Sequence, residues 1–183
     1  MSTRSSPSSP AGCATTALLW DLDNVSVPLS DLVALTQALS SLVQPGSPRV
    51  ASANWRTFRL SRDTLRAHGI RVICGGRDSA GADGVLLRQA RMLRKRGVER
   101  FIVASNDHAF ARIATSAELH VLTLTDAYVS GRLRAAASSV TVLTRSDQGW
   151  RPTSAPSNHP ALACTARSRS TGRQPIVSET ESC

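Results

Sequence analysis

Between residues 17 and 144, short apolar or β-branched runs alternate with stretches whose apolar positions recur every three or four residues. That alternation of periods is the signature of βαβ units built around a mostly parallel sheet. The first run, 17–21, reads as a strand. A helix follows over about 30–43, where Leu32, Leu35, Leu39 and Leu42 return at helical spacing, with Ser30 as its N-cap and Pro45-Gly46 as its stop. Further strands are expected at 49–54, 70–74, 100–104 and 120–125, and a closing one at 140–143. Helices are expected at 61–68, 82–96 and 108–117, with a short one before the last strand. The pattern therefore predicts an α/β domain over 17–144 with a sheet of about five strands.

The flanks look different. Residues 1–16 and 145–183 are rich in Ser, Thr, Pro, Ala and Arg and lack hydrophobic periodicity, so both are expected to be disordered. Trp150 falls in the second of these tails. No run approaches the roughly 18–20 apolar residues that span a bilayer, and nothing at the start reads as an apolar signal segment. A cytoplasmic protein without a membrane partner is the expectation. Cys13, Cys74, Cys164 and Cys183 stand singly, with no CxxC pair, which excludes a thiolate metal site or a disulfide framework as a sequence-level reading.

Charge adds a second layer. The chain carries a formal +9, and Lys95 is the only lysine among its 22 basic residues. The planar guanidinium pairs bidentately with phosphate, which fits a polyanionic partner; a compositional bias toward arginine is the alternative. Within the basic domain, carboxylates gather at the places where ligands lie in open α/β sheets, beyond the carboxyl ends of strands. Asp21, Asp23 and Asn24 follow the first strand in WDLDN. Ser105, Asn106, Asp107 and His108 follow the fourth, Asp83 opens a helix and Asp126 follows the fifth strand. Converging carboxylates repel and raise one another's pKa unless a cation stands between them, and hard oxygen donors select Mg2+ or Mn2+. Taken singly, Asp107 is equally readable as an N-cap and Asp83 as a favourable charge at a helix N-terminus.

WDLDN, GADGVLLRQA and VASNDHAF, in that order and spacing, resemble the three motifs of NYN domains, members of the PIN-like nuclease fold. The resemblance covers about 125 residues and implies a three-layer sandwich with a central parallel sheet, a divalent metal held by aspartates, and cleavage of RNA. Carried over position by position, Asp21 and Asn24 match the first motif, Asp83 the second and Asp107 the third. Two positions depart: where the family often has further acids, this chain has Ala109 and Gln89.

On that basis Asp21, Asp83 and Asp107 are the expected ligands of Mg2+ or Mn2+, with Asn24 orienting a ligand or substrate and His108 as proton donor. Ser105, Asn106, Arg77, Arg88 and Arg91 are the expected RNA contacts. Arg88, Arg91 and Lys95 fall on one helical stripe, which is equally readable as a solvated face. Trp55 and Phe58 are candidates for stacking on a base, Trp20 for the core, and His68 and His120 for packing roles without partners. Two other functions remain open. One is an RNA-binding or interaction domain that keeps the fold without catalysis. The other is a haloacid dehalogenase-type phosphatase in which Asp21 is the nucleophile and Asp23 the general acid.

Overall fold

The computed structural model describes residues 15–76 and 81–154 and assembles them on one seven-stranded sheet. In chain order the elements are β1 (Thr16–Asp21), α1 (Leu29–Ser41), β2 (Arg49–Ala53), α2 (Trp55–Ala67), β3 (Arg71–Cys74) and α3 (Gly81–Lys95). Then come β4 (Arg100–Ala104), a 3-10 helix (His108–Thr115), β5 (Glu118–Leu124), α4 (Gly131–Ala136), β6 (Ser139–Ser146) and β7 (Gly149–Ser154). The spatial order is β3-β2-β1-β4-β5-β6-β7, parallel throughout except for the antiparallel pair β6–β7. From β1 the chain walks outward to β3, and α3 then returns it to the other side of β1. That reversal makes the carboxyl ends of β1 and β4 the switch point of the sheet, where ligands lie in open α/β folds.

The central strands β1, β2, β4 and β5 are buried on both faces, which is why ALLW reads as a continuous apolar run rather than an alternation. Leu18 and Trp20 of β1 join Leu32, Leu35 and Leu39 of α1 and Leu65 of α2 in one apolar cluster. Ala17 and Leu19, the intervening residues, join Leu86 and Leu93 of α3, Phe110 and Leu133 in another. Trp20 is fully buried, and its indole N–H donates to the carbonyl of Val25 at 2.9 Å, so that buried donor is satisfied.

Several elements differ from the sequence pattern. The sheet has seven strands rather than about five, and it continues past residue 144. β6 runs to Ser146 and Gly149–Ser154 folds back on it, bringing Trp150 against the first apolar cluster. An edge strand of this kind carries polar residues and a proline, Pro152, so it lacks the apolar signal that marks central strands. Residues 1–14 and 155–183 lie outside the described residues.

α2 begins at Trp55, well before the expected start at residue 61. Asn54 is its N-cap, the side-chain oxygen accepting from the amides of Arg56 and Thr57. Its first turns are largely exposed, which hid them from a search for apolar periodicity. α1 starts at Leu29 behind Pro28, with no side-chain cap, so Ser30 does not serve as one. The segment after Asp107 is a 3-10 helix rather than an α-helix. Phe110 and Ile113, three residues apart, eclipse on its buried side, the geometry that this tighter coil provides. β5 begins at Glu118, two residues earlier than expected. Among the described residues no helix is long and apolar enough to cross a membrane.

Candidate acidic centre at the sheet switch point

Asp21 ends β1 and is completely buried. Four donors converge on its carboxylate. The amides of Asp23 and Asn24 reach Oδ1 at 3.2 and 3.4 Å, and the Asn24 side-chain amide and the Ser105 hydroxyl reach Oδ2 at 2.5 and 3.1 Å. The turn after β1 therefore folds around the acid, and Ser105, one step beyond the last β1–β4 pair (Trp20 with Ala104), ties it to the neighbouring strand. Ser105 Oγ in turn accepts the amide of Asp107 at 3.2 Å. This chain of bonds places the third acid relative to the first.

Asp107 caps the 3-10 helix, with its Oδ1 accepting the amide of Ala109 at 2.7 Å, and His108 Nδ1 stands 3.2 Å from the same oxygen. The N-cap reading of Asp107 is thus correct as far as it goes, and the side chain still reaches the acidic centre. The position where the family often has an acid supplies here, through Ala109, the amide that fixes Asp107.

Asp83 sits in the first turn of α3. The β3–α3 connection is pinched at its ends, where a Cβ on Gly75 would stand 2.5 Å from the amide nitrogen of Ala82, so the approach requires glycine. The Asp83 carboxyl is pushed up to about 7, first by burial, then by the charge of Asp21 and a hydrogen bond with it, and further by the charges of Asp107 and Asp23. Burial and repulsion from three neighbours thus favour the protonated form of Asp83. Asp21, Asp83 and Asp107, distant along the chain, are brought into one electrostatic site. Among the described residues no group of three or more His, Cys, Asp or Glu is arranged so that it could hold a metal ion.

The remaining candidates divide. Asp23 is committed elsewhere: its two oxygens accept the amide and side-chain amide of Asn54, both at 2.7 Å. Asn106 is also structural in part, since its side-chain oxygen accepts from the Thr123 hydroxyl at 2.6 Å and its carbonyl from the amide of Ser130 at 3.2 Å. Asp126 lies in a turn with φ 65°, exposed, and does not contribute to the charge felt by Asp83. Arg88 and Arg91 are exposed on α3, and Nη1 of Arg88 lies 3.8 Å from where a Gly84 Cβ would stand, beside Asp83. Arg77 lies outside the described residues. Gln89 accepts from Arg71 Nη2 at 2.9 Å, which turns it toward the start of β3 rather than toward the acids.

Two features escaped the sequence reading. The Asp23–Asn54 clamp was signalled only by an asparagine preceding a polar helix. The histidines do have partners: His68 Nδ1 lies 2.9 Å from the carbonyl oxygen of Thr64, and His120 sits between Ser139 Oγ at 2.7 Å and Glu118 Oε1 at 2.9 Å.

Comparison with known proteins adds the fold alone. No family model and no curated protein matches the chain. The crystal structure of a protein of unknown function from Vibrio parahaemolyticus is similar, with a TM-score of 0.52 and 18% identity over 74% of this chain and 95% of that one.

Proposed function

We infer that this chain is a metal-dependent ribonuclease of the NYN type, with the three-layer arrangement of PIN-like domains. The observation that carries the reading is the bonded chain that ties Asp107 through Ser105 to Asp21 at the sheet switch point, with the Asp83 carboxyl pushed up to about 7 by burial and by these neighbours. Acids held this close without a cation are stabilised by a shared proton, and a divalent ion is the alternative occupant of the same space. The donors are all oxygen, a set that fits Mg2+ or Mn2+. Asp21, Asp83 and Asp107 would hold the ion, although as they stand no three such side chains among the described residues could hold one. When bound, such an ion lowers the pKa of a coordinated water and neutralises phosphate charge.

The chain's own groups do the rest. Asn24 and Ser105 lock the orientation of Asp21 by donating to Oδ2. His108, exposed and beside Asp107, is positioned to pass a proton to a leaving oxygen. Arg88 and Arg91 take phosphates of the strand, and Trp55 offers an exposed ring. Cytoplasmic RNA is the substrate in this reading.

A second reading, a non-catalytic RNA-binding or interaction domain of the same type, draws support from Ala109 and from Gln89, whose side chain is engaged by Arg71. The phosphatase reading has less behind it. Its general acid must be free to move a proton, whereas both oxygens of Asp23 are held by Asn54.

The test uses labelled single-stranded RNA and DNA with the full chain in Mn2+, in EDTA, and as Asp21→Asn and Asp107→Asn, with circular dichroism to verify folding. RNA cleavage confined to the wild type with Mn2+ is expected. Undiminished cleavage in a folded Asp107→Asn variant would overturn the mechanism, and binding without cleavage would favour the second reading.

A further inference from the structure

At the end of the sheet away from the acids, the starts of β2 and β3 and the last turns of α3 surround a cavity of about 320 Å3. Arg49, Arg71 and Arg96 line it together with Gln89 and Ser47, and no carboxylate does. Among the described residues none of the three arginines takes part in an ion pair. Three cations around one space repel each other, a cost that an anion in that space removes.

Arg49 makes the case specific. Its Nε is buried and has no hydrogen-bond partner, a state that proteins rarely leave uncompensated. Its Nη1 lies 3.8 Å from where a Cβ on Gly69 would stand, an ordinary contact distance, so the guanidinium lies beside the turn that Gly69 makes at φ 75°. Arg71 is fixed by its bond from Nη2 to Gln89 Oε1, which leaves its other N–H groups available. Three guanidinium groups lining one space suit a group with several acceptor oxygens and more than one negative charge.

We propose that this cavity is a phosphate-binding site. Phosphate could reach it from two sources, a polynucleotide backbone or a free inorganic phosphate. Arg88, Arg91 and Lys95 step along the exposed side of α3, from beside Asp83 toward Arg96. Over a helix of 15 residues that path is about 22 Å, a route that a strand with its reacting phosphate at the acids could follow. The site itself does not depend on the chemistry proposed for the acids.

Inorganic pyrophosphate titrated calorimetrically into the full chain in metal-free buffer tests the site. Saturable binding is expected, weakened about fivefold or more by Arg71→Ala and by Arg96→Ala, whose exposed side chains are dispensable for folding. Arg49→Lys keeps the charge, loses the planar fork and weakens binding as well, while Arg112→Ala, outside the cavity, leaves it unchanged. Absence of saturable binding, or equal binding by Arg71→Ala, Arg96→Ala and Arg112→Ala, would overturn the site. Fluorescence anisotropy with a short single-stranded RNA separates the sources. Displacement by pyrophosphate that disappears in Arg71→Ala identifies a strand phosphate, and RNA binding indifferent to both identifies free phosphate. Because no cleavage is measured, failure of the nuclease reading leaves the pyrophosphate result standing.

Discussion

Both carboxylate oxygens of Asp23 are taken up by Asn54, one by its backbone amide and one by its side-chain amide, each at 2.7 Å. Asn54 simultaneously caps α2 through its side-chain oxygen. The pair thus fastens the β1 turn to the β2–α2 junction. It also removes Asp23 from the set of acids free to serve a ligand, although it lies only two residues from Asp21.

Asp23→Ala is therefore expected to act on stability. Losing two charge-assisted bonds and leaving the Asn54 amide unpartnered should cost about 1–3 kcal/mol, read from urea unfolding. Mn2+ affinity of the folded variant should remain close to wild type. A large loss of Mn2+ affinity with unchanged stability would mean that Asp23 is a ligand after all.

Asp83 should behave in the opposite way. Its folded-state pKa is raised from an ordinary 3.8 to about 7, so the folded chain holds this proton more tightly than the unfolded one. The contribution is complete below about 3.8 and is lost as pH rises through about 7. Asp83→Asn removes that ionisation, and its melting temperature in EDTA at pH 8 should exceed that of the wild type. Stabilisation of the wild type by added Mn2+ should vanish in the same variant. A lower melting temperature at pH 8 would show that the ionised acid is not a burden there.

His120 gives a separate pH signal. Burial, chiefly, pushes its pKa below the ordinary 6.5, with Arg100 adding to the effect and Glu118 opposing it. A depressed histidine contributes stability above about 6.5 that is lost as pH falls below it, because the unfolded chain then takes up the proton more readily. Unfolding free energies at pH 7.5 and 5.5 should therefore fall more steeply with acid in the wild type than in His120→Gln. Parallel losses would assign the acid sensitivity to other groups.

Trp55 is half exposed, its ring 6.0 Å from that of Phe58 at an interplanar angle of 22°, and the Arg59 guanidinium lies 5.7 Å from it. α2 leaves the carboxyl end of β2, so this aromatic pair stands at the same end of the sheet as Asp21. Trp55→Ala should weaken binding of single-stranded RNA by about 1–3 kcal/mol, about 5- to 150-fold, in an anisotropy titration without metal. Unchanged affinity would remove the ring from the RNA surface.

Local pattern alone located the central strands and the α/β class. The core of a parallel sheet is written in runs such as ALLW and FIVA, which need no knowledge of their partners. The three acids were also legible, because the ends of such strands are where ligands lie and WDLDN, GADG and SNDH sit at those ends. What the tertiary structure decided were relationships between residues far apart in the chain. Ser105 and Asp21 are 84 positions apart, and their bond follows from the β1–β4 pairing. The retirement of Asp23 depends on Asn54, 31 positions away. β7 pairs at the edge with residues that carry no apolar signal, and the arginine-lined cavity gathers side chains from three elements. Periodicity reports which face of an element is buried; it does not report which neighbour meets it, because that is fixed only when strand order and crossovers bring distant backbones together.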